Sequence, residues 1–224
     1  MRMVGDRFET LRQDMVQVIA LHAQHAGSQV GKENIHDQVL DVMGRVPRHS
    51  FLLSDLLPYA YLDGPLPIGF DKTISQPFIV ALMTDLLDLK PGDRVLEIGT
   101  GLGYHAAILA ELAEAVFTIE IIEELASQAR KNLYRAGYSN IELKVGDGSK
   151  GWAEHAPFDK ILVAAAPDLI PPALIYQLSP NGRMVVPAGN PETQQLMLVF
   201  KNEAGTVSTR DVLPVRFGAL ESYS

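Results

Sequence analysis

The stretch "RVLEIGTGLGYHAAILAEL", Arg94 to Leu112, decides the fold. It opens as a short β-branched run, turns on glycines at 99, 101 and 103, and continues at once in an apolar helical pattern. Glycines placed directly between a strand and a helix allow a tight turn and let a ligand approach the backbone. The spacing separates the nucleotide-binding readings. A dinucleotide fingerprint would need glycine at 104, where the chain has Tyr104, and a P-loop would need Gly-Lys-Ser/Thr, which is absent.

Working outward, "AVFTIE", "IELKVGD", "DKILVAAA" and "GRMVVPAG" are further short strand-like runs. The helical stretches Tyr104 to Ala113 and Ile122 to Ala136 separate the first three strands, and Pro171 to Leu178 the last two. Strands alternating with helices predict an α/β fold, a doubly wound and mostly parallel sheet of Rossmann-like type. After Gly189, "QQLMLVFKN" and "TVSTRDVLPVRFGAL" have no helix between them and should add antiparallel strands at one edge. Upstream, Phe8, Leu11, Met15, Val18 and Ile19 follow helical spacing, predicting a helix from Asp6 to about Ala26. A second helix should start with Asn34 as N-cap and stop before Pro47, and Ser50 to Phe70 reads as ordered loop. The chain thus divides into N-terminal helices and a loop (1–90), a ligand-binding core (91–190) and C-terminal strands (191–224), within one domain.

The totals limit the partners. A net charge of −8 offers no basic face for a phosphate backbone, so nucleic acid is not expected. With no cysteine, disulfide scaffolds and thiolate zinc sites are excluded. His22 and His25 share a helix face without an acid pair, so no metal site is read there. No signal peptide or spanning run is visible, and we expect a cytoplasmic, monomeric protein without a membrane partner.

Two acids sharpen the glycine turn. Glu97 lies inside the first strand, and Glu120 ends the second, 21 residues after Gly99, where a carboxylate can grip ribose hydroxyls. An anionic strand end beside a glycine turn suits a cationic nucleoside such as S-adenosylmethionine better than a pyrophosphate. Asp147, in "VGDG", ends the third strand on the same rim and either faces an adenine or serves the Asp-Gly turn. Glu97 has a plainer reading as a cap for local amides, and Gly99 and Gly101 as packing glycines.

With "TISQPFIVALMTDLL", "RVPRHSF", "AYLDGPLPIG", "GDGSKGW", "APFDKILV", "IPPALIYQL" and "VRFGAL", the chain from about Val46 to Leu220 resembles the protein-L-isoaspartate O-methyltransferases. The resemblance implies a seven-stranded methyltransferase sheet and S-adenosylmethionine as donor. It also implies methyl esterification of the α-carboxylate of L-isoaspartyl residues, with repair through a succinimide. By position, Ser75 matches the family's active-site serine. Glu97, Gly99, Thr100, Gly101, Glu120, Ile121, Asp147 and Gly148 match donor-binding positions, and Thr73 and Ile74 match the lining of the shared pocket. Arg216, in "VRF", matches a residue near the acceptor. Where the family usually reads Gly-Gln before "TISQP", this chain has Asp71 and Lys72, which places both on the acceptor side and bears on its specificity. A different acceptor carboxylate, or a donor-binding module without turnover, are the alternatives.

The polar knot Asp71–Gln76 precedes a helix that Pro77 opens. Free N–H groups there favour an anion, so the acceptor carboxylate is one candidate occupant; the plain alternative makes Ser75 an N-cap.

Overall fold

The computed structural model describes residues 2–223, with side chains from Arg7 onward. Its elements alternate as the sequence pattern requires. The central sheet takes β3 (Arg94–Ile98), β4 (Ala115–Glu120), β5 (Ile141–Val145), β6 (Phe158–Val163), β7 (Leu178–Ala188), β8 (Gln195–Lys201) and β9 (Val207–Pro214). Their order is β5-β4-β3-β6-β7-β8-β9, parallel up to β7, with β8 and β9 antiparallel at the edge. The chain winds outward from β3 to β5 and then returns to the other side of β3. That reversal opens a crevice at the carboxyl ends of β3 and β6, the usual ligand position in open α/β sheets.

Alternate residues of β3 serve two cores. Val95 joins the larger one, and Leu96 and Ile98 join the smaller. Helices α3 (Pro77–Leu87), α4 (Tyr104–Ala110) and α5 (Glu123–Ala136) contribute to the larger core, while α6 (Pro172–Gln177) and Trp152 cover the other face thinly. Ten of the eleven residues of α3 are buried, so it needs apolar cover on every side. The sheet covers one side, and α1 (Arg2–Val30) with α2 (Asp37–Arg45) covers the rest. This explains the helical cap.

Several boundaries differ from the sequence reading. The first helix runs on to Val30, where Gly31 (φ 76°) ends it. The second starts at Asp37 with His36, not Asn34, at its N-cap, because buried Asp85 of α3 binds both the His36 N–H (2.7 Å) and Lys32 Nζ (2.7 Å). Ser50–Phe70 is more than loop: it holds two short 3-10 turns and the strand β1 (Leu66–Gly69), which forms a hairpin with β2 (Lys72–Ile74). At the other end the sheet stops at Pro214. From Val215 the chain leaves it as a strap that runs past β6, where Ala219 bridges Ala166. Arg183 lies in β7 and pairs with Asp88 at 3.4 Å. Among the described residues no helix is long and apolar enough to cross a membrane.

Candidate active site

The glycine turn after β3 is built as its residues demand. Gly99 (φ 93°) and Gly101 (φ 56°) both lie in the left-handed region that side chains avoid. The Gly101 N–H donates to Glu120 Oε2 (2.8 Å), and the Ile122 N–H to Oε1 (3.0 Å), so the acid that ends β4 is fixed beside the turn. Burial raises the pKa of Glu120, and these backbone N–H groups oppose the shift. Gly148 closes the floor: a Cβ there would lie 2.2 Å from Ile98 Cγ2.

Above the turn is a cavity of about 830 Å³. Its lining brings Gly99, Gly101, Glu120, Ile121 and Gly148 together with Asp71, Lys72, Thr73, Ser75 and, from the strap, Arg216. The remaining expected residues stand apart. Ile74 and Thr100 face a second, smaller space of about 50 Å³ that Thr73, Ser75, Gly99 and Gly101 also line. Asp147 is turned away from the large cavity: its Oδ1 accepts from the N–H (2.9 Å) and hydroxyl (2.6 Å) of Ser149. Burial raises its pKa, but these bonds and Lys150 outweigh burial and leave it below the ordinary value. The turn reading of Asp147 therefore describes its geometry. Glu97 is wholly buried, accepts from Thr118 Oγ1 at 2.5 Å and does not line the cavity. Trp152 packs against Phe117 in the smaller core.

The mouth of α3 corrects two expectations. Gln76, not Ser75, occupies the N-cap position, and its side chain makes no capping bond. The anion at this helix end belongs to the protein: Asp63 Oδ1 accepts from the Phe78 N–H (2.8 Å), and Oδ2 from Gln76 Nε2 (2.9 Å). The same carboxylate meets His22 Nδ1 at 2.5 Å, which brings α1 into the cavity wall. Lys72 pairs with Glu221 of the strap rather than with Asp71. Ser75 keeps a hydroxyl with no hydrogen-bond partner among the described residues, while its backbone carbonyl accepts from Arg48 Nη2 at 2.8 Å. His105 is buried, hydrogen-bonded to Thr84 Oγ1 (2.9 Å) and held neutral by burial, its pKa lowered to about 3. Among the described residues no group of His, Asp and Glu could hold a metal ion.

Sequence reasoning gave no site role to His22, Asp63 or Arg48. No local signal marks them, because each acts across the fold.

A seven-stranded sheet with a switch point at β3, a glycine turn there and an acid at the end of β4 define a Rossmann-like methyltransferase. The chain belongs to the protein-L-isoaspartate(D-aspartate) O-methyltransferase family, whose model matches residues 27–223. Protein-L-isoaspartate O-methyltransferase 1 of a Polaromonas species is 62% identical over 214 residues, covering 96% of this chain and 91% of that protein. A namesake from Cupriavidus necator is 56% identical, covering 95% and 82%. Among solved structures, a protein-L-isoaspartate O-methyltransferase aligns at a TM-score of 0.81 and 27% identity, over 94% of this chain and 66% of that one. A Plasmodium falciparum structure, described as a protein-L-isoaspartate O-methyltransferase in complex with S-adenosyl-L-homocysteine, shares the fold at a TM-score of 0.79 and 21% identity, over 95% and 99%.

Proposed function

We propose that this chain catalyses S-adenosylmethionine-dependent methyl esterification of the α-carboxylate of L-isoaspartyl residues in damaged proteins and peptides, leading to repair through a succinimide. The observation that carries the proposal is a single cavity lined by the glycine turn, by Glu120 and by Ser75, whose hydroxyl has no partner among the described residues.

The donor end fits S-adenosylmethionine. Gly99, Gly101 and Gly148 leave backbone bare, and the buried Glu120 offers a carboxylate fixed by two N–H groups. Gly99, Gly101, Glu120, Ile121 and Gly148 would hold the donor, with Thr73 beside them. Glu97, Thr100, Ile74 and Asp147 would act from behind this lining. When bound, S-adenosylmethionine supplies an electrophilic methyl group carried on a positively charged sulfur.

The rest falls to the protein. An acceptor carboxylate with a pKa near ~4 is ionised at neutral pH, so no general base is needed. His105, neutral and tied to Thr84, is not placed to be one. Ser75 would donate its hydroxyl to the carboxylate and fix its orientation, with Asp71, Lys72 and Arg216 around the acceptor. The β1–β2 hairpin and the strap flank the site and exclude water. Catalysis on this reading is mainly positional. Within the proposal the chain works as one methyltransferase unit, a cytoplasmic monomer, and its net charge of −8 supports the absence of a nucleic-acid partner.

A methyl-transfer assay on paired peptides, one with isoaspartate and one with aspartate, tests the proposal. Transfer confined to the isoaspartyl peptide is expected, and Ser75→Ala should lower turnover while donor affinity holds. Equal transfer to both peptides, or donor binding with no transfer, would overturn it.

A further inference from the structure

Arg48 sits in the 3-10 turn Arg48–Phe51, and its side chain is completely buried. Its Nη2 donates to the Ser75 carbonyl, but among the described residues Nε and Nη1 have no partner and no carboxylate pairs with it. The guanidinium lies 5.0 Å from the centre of the Tyr104 ring, which gives it a π face, and the charge of Asp63 acts on it only from beyond ion-pair distance. Burial lowers its pKa to about 10, so it is still a cation at neutral pH.

A buried cation without an ion-pair partner is costly, and an apolar side chain of similar volume would fill the same space more cheaply. Packing therefore does not account for it. Besides its contact with the Tyr104 ring, the guanidinium does one thing that Met or Leu would not: it holds the carbonyl of Ser75. That carbonyl is not used by the helix, because the first turn of α3 closes one residue later, from the Val80 N–H to Gln76 O. Without Arg48 the Ser75–Gln76 peptide plane, and the hydroxyl it carries into the cavity, would lack this anchor.

We propose that Arg48 is a positioning residue of the acceptor site, whose buried guanidinium fixes the Ser75 peptide so that its hydroxyl meets the acceptor carboxylate. The inference rests on the proposed role of Ser75. Arg48 does not line the cavity and acts only through its neighbour.

The test is a double-mutant cycle on the full chain with Arg48→Met, Ser75→Ala and both together. It reads kcat and KM on an isoaspartyl peptide, S-adenosylhomocysteine affinity by calorimetry, and Tm. Arg48→Met should keep Tm and bind S-adenosylhomocysteine within about twofold of wild type. It should lose kcat by about 10- to 100-fold, the scale of one hydrogen bond to a charged group. The double variant should be no slower than Ser75→Ala alone, since residues acting as a unit are not additive. Arg48→Lys, which keeps a charged donor, should recover part of the rate. Losses that multiply in the double variant would overturn the proposal, as would unchanged kcat in Arg48→Met. So would a fall in Tm that tracks activity in both the Met and Lys variants. Wild type that binds the donor but methylates no isoaspartyl peptide would instead remove the functional reading beneath it.

Discussion

Replacing Glu97 with glutamine should change how stability depends on pH. Glu97 lies on β3 with no solvent exposure; Oε2 accepts from Thr118, and Oε1 has no partner. Burial first, and then the like charge of Glu120, push its pKa from 4.5 up to about 8, against the Thr118 bond. In the unfolded chain the carboxyl ionises near 4.5, while the native protein keeps its proton to about 8. Between those values the native state binds one more proton than the unfolded state, so rising pH favours unfolding. Below the window both states are protonated and the group contributes no slope; above it the loss is complete. Each unit inside is worth about 1.36 kcal/mol, which sets a ceiling of about 3 kcal/mol between pH 5.5 and 9. Real interiors respond as a higher dielectric than dry protein, so a difference of about 1–3 kcal/mol is expected. Glutamine keeps the shape and the bond from Thr118 but cannot titrate. Its amide N–H₂ has no acceptor, which costs about 1 kcal/mol at every pH. Urea unfolding at pH 5.5 and 9 should therefore show Glu97→Gln at or below wild type at the acid end and ahead of it at the alkaline end. Parallel pH dependence in the two proteins would show that native Glu97 is already ionised, and the reasoning would fail.

Asp71→Gly should stabilise the hairpin. Phe70 and Asp71 both have φ near 55° in the two-residue turn, and glycine takes that conformation freely. The gain is partly offset in the unfolded state, so a net of about 0.5 kcal/mol and a rise in Tm of about 1–2 °C are expected in a thermal melt. Gly148→Ala places a methyl 2.2 Å from Ile98 Cγ2. It should cost about 1–3 kcal/mol by denaturant titration and weaken S-adenosylhomocysteine binding in calorimetry. His22→Ala removes an acceptor-side wall held by Asp63 at 2.5 Å, and should raise the KM for isoaspartyl peptide while leaving donor affinity intact in the same calorimetric titration.

What was legible in the chain was what local pattern controls. The change from strand to helix period around Gly99 fixes the sheet and its switch point, and the distance from Gly99 to Glu120 places an acid at the next strand end. Both hold in the structure. Side-chain direction was not legible. Asp147 sits where expected along the chain but turns to Ser149, a choice made by two hydrogen bonds that spacing does not encode. Partners distant in sequence were hidden for the same reason. The acid at the end of α3 comes from 15 residues upstream, and Lys72 meets Glu221 across 149 residues. Capping rules search only a few positions around a helix start, so Asp63 falls outside their reach.

These distant partners bear on how an acceptor carboxylate would be recognised. Asp63 already fills the α3 terminus and also engages His22, and Glu221 neutralises Lys72. What is left near Ser75 is a hydroxyl and Arg216, an exposed cation with no ion pair among the described residues. A methyl transfer to a carboxylate consumes its negative charge as the transition state forms. A tight ion pair to that carboxylate would therefore stabilise the ground state more than the transition state and slow the step. A neutral donor that fixes orientation, with a solvated cation at the rim to attract the anion, binds without that penalty. On this view the internal pairing of Lys72 with Glu221 is part of the design: it keeps a strong cation off the reacting oxygen.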